Sequence, residues 1–207
     1  ILTYTLSKFN NTMRPDNQLP NYTKKPIIFT IEQAAKLYTR LMGVLMMIFV
    51  VPFIFVHFQS FKFYFSHFSW LTFSKDIFLF VIAIIIGIVL HEAIHGLTWA
   101  LFVKERLRAI KFGILKETFT PYCHCKGFLR VKQYIAGAIM PAILLGILPT
   151  LWAFINGKIM LFLLGIYFIV AASGDFLIVY LLRNEGCNSY VKDHETQPGC
   201  IVYKFKA

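Results

Sequence analysis

The chain has 207 residues, a net charge of +11, 57% apolar residues and only 15% charged residues. A soluble domain carries roughly 25% charged residues, so this composition, with 22 phenylalanines and a mean hydropathy of +0.64, excludes an ordinary soluble domain. The basic balance then points to membrane topology rather than to nucleic acid, and no nucleic-acid partner is expected.

Along the chain, residues 1–40 form a polar N-terminal arm in which no signal peptide is read. The first apolar segment, about Leu41 to Val56, contains Pro52 and needs preceding residues to complete a span. The connection from Phe58 to Phe73 is half aromatic and reads as a partly helical segment lying at an outer membrane interface. Its histidines, His57 and His67, fit interfacial polar groups better than ligands.

The second apolar segment runs from about Ile77 to Val103, the third from about Ile135 to Ile155 and the fourth from about Ile159 to Leu182. Each reaches the roughly 20 residues that cross a hydrocarbon core. The second is about 40 Å long at ~1.5 Å per residue, so it tilts or protrudes. Pro141 and Pro149, with Gly137 and Gly146, predict kinks in the third, whose freed carbonyls are tolerable beside a polar site.

Between the second and third segments, "LRAIKFGIL" and "KGFLRVKQYI" flank the turn-like "KETFTPY" and predict a β-hairpin. The tail "GCIVYKF" predicts a further short strand after the loop "KDHETQPG", and one small sheet could hold all of these. The expected architecture is therefore mainly α, with four transmembrane helices and a small cytoplasmic β-hairpin or sheet. It divides into an N-terminal cytoplasmic arm (1–40), a four-helix transmembrane domain (41–182, with a β-containing loop at 104–134) and a cytoplasmic tail (183–207).

Charge sets the orientation. Eighteen Lys/Arg fall in the arm, the 104–136 connection and the tail, against three on the other side. Both termini are expected in the cytoplasm, in the inner membrane if the source is bacterial. All four cysteines then face the reducing side, which speaks against a disulfide framework. The run Cys123-His124-Cys125 is too tight for an ordinary zinc finger and reads as reduced thiols.

The second segment carries His91-Glu92-Ala93-Ile94-His95, the H-E-x-x-H pattern. Histidines four apart on a helix project to one face, so both imidazoles reach one ion. Glu92, beside the first of them, is placed to take a proton from water at that ion. A buried cluster of two histidines and a carboxylate is the plainer alternative.

A catalytic zinc needs a third protein ligand. The His of the extended metzincin pattern is missing from "LFVKER". Asp175 is the next candidate, because the expected topology puts it and the two histidines at a similar depth, ~10–18 Å from the cytoplasmic ends of their helices. His124 and His194 are rivals from polar segments.

These features resemble the site-2-protease-like intramembrane zinc proteases, and more closely a bacterial family described as putative zincin peptidases. The resemblance rests on "HEAIHG", "IKFGIL…TPYCHC", the Pro-rich third segment, "GD" in the fourth and "DH…GCIVY", from about residue 75 onward. It implies a zinc-dependent hydrolase with His91, His95 and Asp175 as ligands and Glu92 as base. It also implies that a β-segment after the motif helix presents an unwound substrate strand by edge pairing. The chain departs from the site-2 patterns Leu-Asp-Gly and Asn-Pro-Asp-Gly, because Asp175 lies between Gly174 and Phe176.

The function expected is a zinc metallopeptidase in or on the lipid bilayer, acting on a membrane protein or peptide. A non-catalytic metal-binding scaffold is the alternative. A transporter would show paired broken helices and internal symmetry, which are not evident. Oligomeric state is left open.

Overall fold

The structure, a computed structural model, describes residues 22–115, 120–187, 189–194 and 197–205. The arm before residue 22, the predicted turn at 116–119 and positions 195–196 of the predicted loop lie outside the described residues.

The described residues begin with strand β1 (Tyr22–Ile28). Thr30 then starts helix α1 with a capping box: its hydroxyl accepts from the Gln33 N–H, and the Gln33 side chain accepts from the Thr30 N–H. This reciprocal pair satisfies two helix-end donors. α1 runs through Ile31–Leu45, a π turn at Met46–Val50 and Val51–Val56. Its Pro52 lacks an N–H, and the wider π turn lies just before it.

Helix α2 (Phe58–Ser66) precedes α3 (Trp70–Ala100), which has 31 residues. A 3-10 turn leads to strands β2 (Ile110–Leu115) and β3 (Thr120–Cys125). Strand β4 (Leu129–Arg130) enters helix α4, which runs through Val131–Pro141, a π turn at Ala142–Ile147 and Leu148–Asn156. Gly157, in the left-handed region at φ 65°, ends it, as a residue without Cβ does most readily. Helices α5 (Ile159–Ala171) and α6 (Ser173–Leu182) follow, then β5 (Tyr190–Asp193) and β6 (Gly199–Phe205).

Among the described residues, three helices are long and apolar enough to cross a membrane, and α5 with α6 makes a fourth if the pair counts as one. That pair bends by 42°, so the fourth segment is broken rather than continuous. α3 starts and stops earlier than expected from hydropathy, and α1 begins at Ile31 instead of near Leu41. The helices keep large apolar side chains outward: Phe55, Leu71 and Ile155 are 84%, 82% and 77% exposed.

Two sheets form where one was expected. β2 and β3 pair only with each other, as the predicted hairpin, with Phe112 opposite Cys123. A second sheet has the order β1-β6-β5-β4. In it β1 pairs antiparallel with β6 along its whole length, from Tyr22 opposite Phe205 to Ile28 opposite Gly199. The first and last described strands are thereby joined. The two-residue β4 pairs with β5, not with the hairpin.

One apolar cluster, including Trp99, Leu129, Tyr134, Leu182, Val191 and Val202, seals the sheet against the ends of α3, α4 and α6. Another, around Leu45, Phe53, Phe162 and Ile166, holds the far end of the bundle. There Phe53 and Phe162 stack at 3.8 Å.

Candidate metal centre

His91 and His95 lie one turn apart on α3, both buried, with ring centroids 4.8 Å apart. The break after Ala171 places Asp175 in the first turn of α6, where a helix N-terminus favours a negative group. The Oδ2 of Asp175 is 3.1 Å from His91 Nε2 and its Oδ1 is 3.3 Å from His95 Nε2. The three side chains offer ligand atoms within 4.8 Å of one another, a group able to hold a metal ion.

The protonation pattern favours a cation. His95 Nδ1 lies 2.9 Å from the carbonyl oxygen of Gly137. A carbonyl only accepts, so Nδ1 carries the hydrogen. In the neutral ring Nε2 then presents a lone pair toward Asp175 Oδ1, and two electron-rich atoms face each other. A proton or a metal ion between them resolves the conflict. The two His-to-carboxylate separations are also close to zinc geometry, since two ligands about 2.0–2.2 Å from a tetrahedral ion lie about 3.3–3.5 Å apart. The residues present therefore fit the metal.

The Gly137 carbonyl is available for a reason in the sequence. Its helical donor would be the N–H of residue 141, and Pro141 has none. A Cβ at Gly137 would fall on the Trp99 indole, so glycine permits the close approach of α4 to α3. Behind His95 the rings continue. His95 stacks on Trp99 at 5.2 Å and 16°, and Trp99 stacks on Tyr134 at 5.2 Å and 20°. The Trp99 Nε1–H donates to the Tyr134 carbonyl at 3.1 Å.

Asp193, buried at the end of β5, fastens this stack to the hairpin. Its Oδ1 accepts from the Tyr134 hydroxyl at 2.6 Å and its Oδ2 from the Cys125 N–H at 2.7 Å. Burial pushes its carboxyl above the usual range, against the pull of those two bonds. His91 lacks such an anchor, since its Nδ1 is buried without a hydrogen-bond partner.

Glu92 faces the hairpin, with its carboxylate beside the N–H of Cys123. The hairpin is close here: a Cβ on Gly96, one turn further, would lie 2.6 Å from Phe112 and 2.8 Å from Ile110. Cys123 and Cys125 are two apart on β3, so they direct N–H groups to the same edge. Glu92 and Asp193 occupy that edge.

The rival ligands do not join the group. His124 Nδ1 is 3.8 Å from Asp193, and His194 Nδ1 accepts from the Gln197 N–H. No metal-ligating group forms around Cys123 and Cys125 among the described residues. All four cysteines are free. Burial raises the Cys125 thiol to about 12 and the Cys123 thiol further, which disfavours the thiolate that metal binding requires. His57 Nε2 meets the Phe154 carbonyl at 2.6 Å and His67 Nδ1 the Phe63 carbonyl at 3.0 Å, both as local polar contacts.

Sequence reasoning missed Trp99, Tyr134, the Gly137 carbonyl and the Cys123 N–H. The spacing of Trp99 four residues after His95 was the available signal for the first of these.

Fold and site define a largely helical protein with a buried His-His-Asp group of metal-ligating chemistry. The chain belongs to the family described as "putative zincin peptidase", whose model matches residues 84–190, just over half of it. That membership supports a zinc-dependent peptidase. No curated protein and no solved structure matches the chain.

Proposed function

We propose that the chain is an intramembrane or membrane-associated zinc peptidase of the site-2-protease-like kind, with His91, His95 and Asp175 holding the metal and Glu92 as general base. The observation that carries this reading is the convergence of His91 Nε2 and His95 Nε2 on the two oxygens of Asp175, at 3.1 and 3.3 Å, with Glu92 next to His91 on the same helix. Bound zinc supplies a Lewis acid for the scissile carbonyl and lowers the pKa of attacking water toward neutrality.

The chain's own residues do the rest. The Glu92 carboxylate takes the proton from the water that adds to the peptide carbon. It then gives that proton to the leaving amine nitrogen as the C–N bond breaks. Gly137 holds His95 in the tautomer that leaves Nε2 unprotonated. The outward apolar surface of α1, α3, α4, α5 and α6 fits lipid, and the basic arm, 104–136 connection and tail fit the cytoplasmic side.

A substrate helix must unwind before its carbonyls are accessible. The β3 edge suits an extended peptide, and pairing there engages the Cys123 N–H beside Glu92. The substrate is thus a membrane protein or peptide that supplies an unwound stretch.

The position of Glu92 against the Cys123 N–H also fits a structural role, which makes a non-catalytic scaffold the second reading. Glu92→Gln separates the two, because the amide keeps the size and polarity of the side chain while the base is gone. The comparison is made on membrane-protein fragments in cells expressing either form, by mass spectrometry of new termini. Fragments that depend on the wild-type chain and fall by about 10²–10⁴-fold in the variant support the enzyme. Equal fragments in both contradict it.

A further inference from the structure

At the end of the bundle away from the sheets, a cavity of about 900 Å³ opens between α2, the start of α3, the end of α4 and the start of α5. It is separate from the metal centre: Asp76, on its wall, is fifteen residues before His91 on α3, about 22 Å along the helix. The volume falls within the range of small-molecule sites.

Its lining combines two opposite charges with aromatic rings. Asp76 and Lys158 both face this space, and neither has an ion-pair partner among the described residues. Among the described residues, the one polar contact of the Asp76 carboxylate is the Tyr64 hydroxyl, which donates to Oδ2 at 3.5 Å. Lys158 precedes α5, whose first turn lines the same wall without a side-chain cap, adding to the positive character of that side. The mouth carries Phe63 and Trp152, 65% and 64% exposed. A carboxylate and an ammonium that share a cavity yet leave each other unpaired are complementary to a ligand bearing both charges.

The geometry points to a binding site for the headgroup of a zwitterionic, primary-amine phospholipid, with its phosphate at Lys158 and its ammonium at Asp76. This rests on the membrane reading of the long helices. The site then lies at the helix ends, the level at which aromatic residues meet headgroups. A purely anionic headgroup meets repulsion at Asp76. A quaternary choline has no N–H to donate to the carboxylate, so the primary amine is the better match.

The test uses the full chain, extracted in detergent, stripped of lipid and titrated with dioleoyl-phosphatidylethanolamine, -phosphatidylcholine or -phosphatidylglycerol under native mass spectrometry. The ethanolamine lipid is expected to bind about tenfold or more tightly than the other two, the factor for one charge-assisted hydrogen bond. Lys158→Gln and Asp76→Asn are each expected to lower that affinity about tenfold with helical circular dichroism unchanged. Equal binding of all three lipids overturns the inference, as does unchanged ethanolamine-lipid affinity in both variants. Those failures leave the membrane reading standing. A chain that stays in solution without detergent overturns both.

Discussion

The Nδ1–H of His95 donates to the carbonyl oxygen of Gly137 at 2.9 Å, and that carbonyl has no helical donor because residue 141 is proline. A helix defect in α4 therefore sets the tautomer of a histidine on α3. Partners of this kind typically change metal affinity 10–100-fold when lost.

Pro141→Ala restores an N–H four residues after Gly137 and gives the carbonyl a competing donor. The expected result is zinc affinity lowered by about tenfold, measured by competition with a chromogenic chelator. The helix itself gains propensity, so thermal stability of the metal-free protein is expected to hold or rise. A fall in affinity without a loss of stability distinguishes this positioning role from simple unfolding.

Removing the Asp193 side chain leaves two buried donors, the Tyr134 hydroxyl and the Cys125 N–H, without an acceptor. Asp193→Ala should cost roughly 2–6 kcal/mol, at about 1–3 kcal/mol for each orphaned group. The measurement is the unfolding midpoint of the detergent-solubilised chain. Because Tyr134 supports the Trp99 ring that stacks on His95, zinc affinity should fall as well. A midpoint within a degree of wild type contradicts this account of Asp193.

Glu185, just beyond α6, ties strands β1 and β6 to the bundle. It pairs with Lys25 of β1 at 2.8 Å and with Lys204 of β6, and its own side chain is 3% exposed. Burial favours its neutral form, but the two ion pairs outweigh burial and hold the carboxyl below its usual value. A lowered folded-state pKa contributes stability that is present above the unfolded value, about 4.3, and is lost as pH falls through the folded one. Glu185→Gln should therefore lower stability near neutral pH by about 1–2 kcal/mol, since both lysines return to water. The difference from wild type should shrink below about pH 4. A difference that persists undiminished in acid contradicts the linkage.

The grouping of His91, His95 and Asp175 was largely legible in sequence because its parts obey short-range rules. The spacing from His91 to His95 is one helical turn, and the expected topology with residue counts along the helices put Asp175 at a similar depth. The hairpin was legible from β-branched runs around a turn. What could not be read depends on distant partners. Tyr22–Ile28, "YTKKPII", is charged and interrupted by proline, and becomes a strand only beside β6, more than 170 residues later. The break before Asp175 falls in a run of good helix formers, and only the small pair Ser173-Gly174 hints at it. The stack of His95, Trp99 and Tyr134 needs the rotation of α4 about its axis, which no local pattern encodes. The two sheets separate because β4 turns to β5, a choice made by packing of Leu129 against Val191.

The central claim is that His91, His95 and Asp175 hold one zinc beside Glu92. The most direct test is the metal content of the chain purified at neutral pH without chelators. The account predicts one zinc per chain in the wild type and in Glu92→Gln, and its loss in His95→Ala and Asp175→Ala with helical content retained. A wild-type chain without zinc, or zinc retained when His95 and Asp175 are removed together, would contradict it.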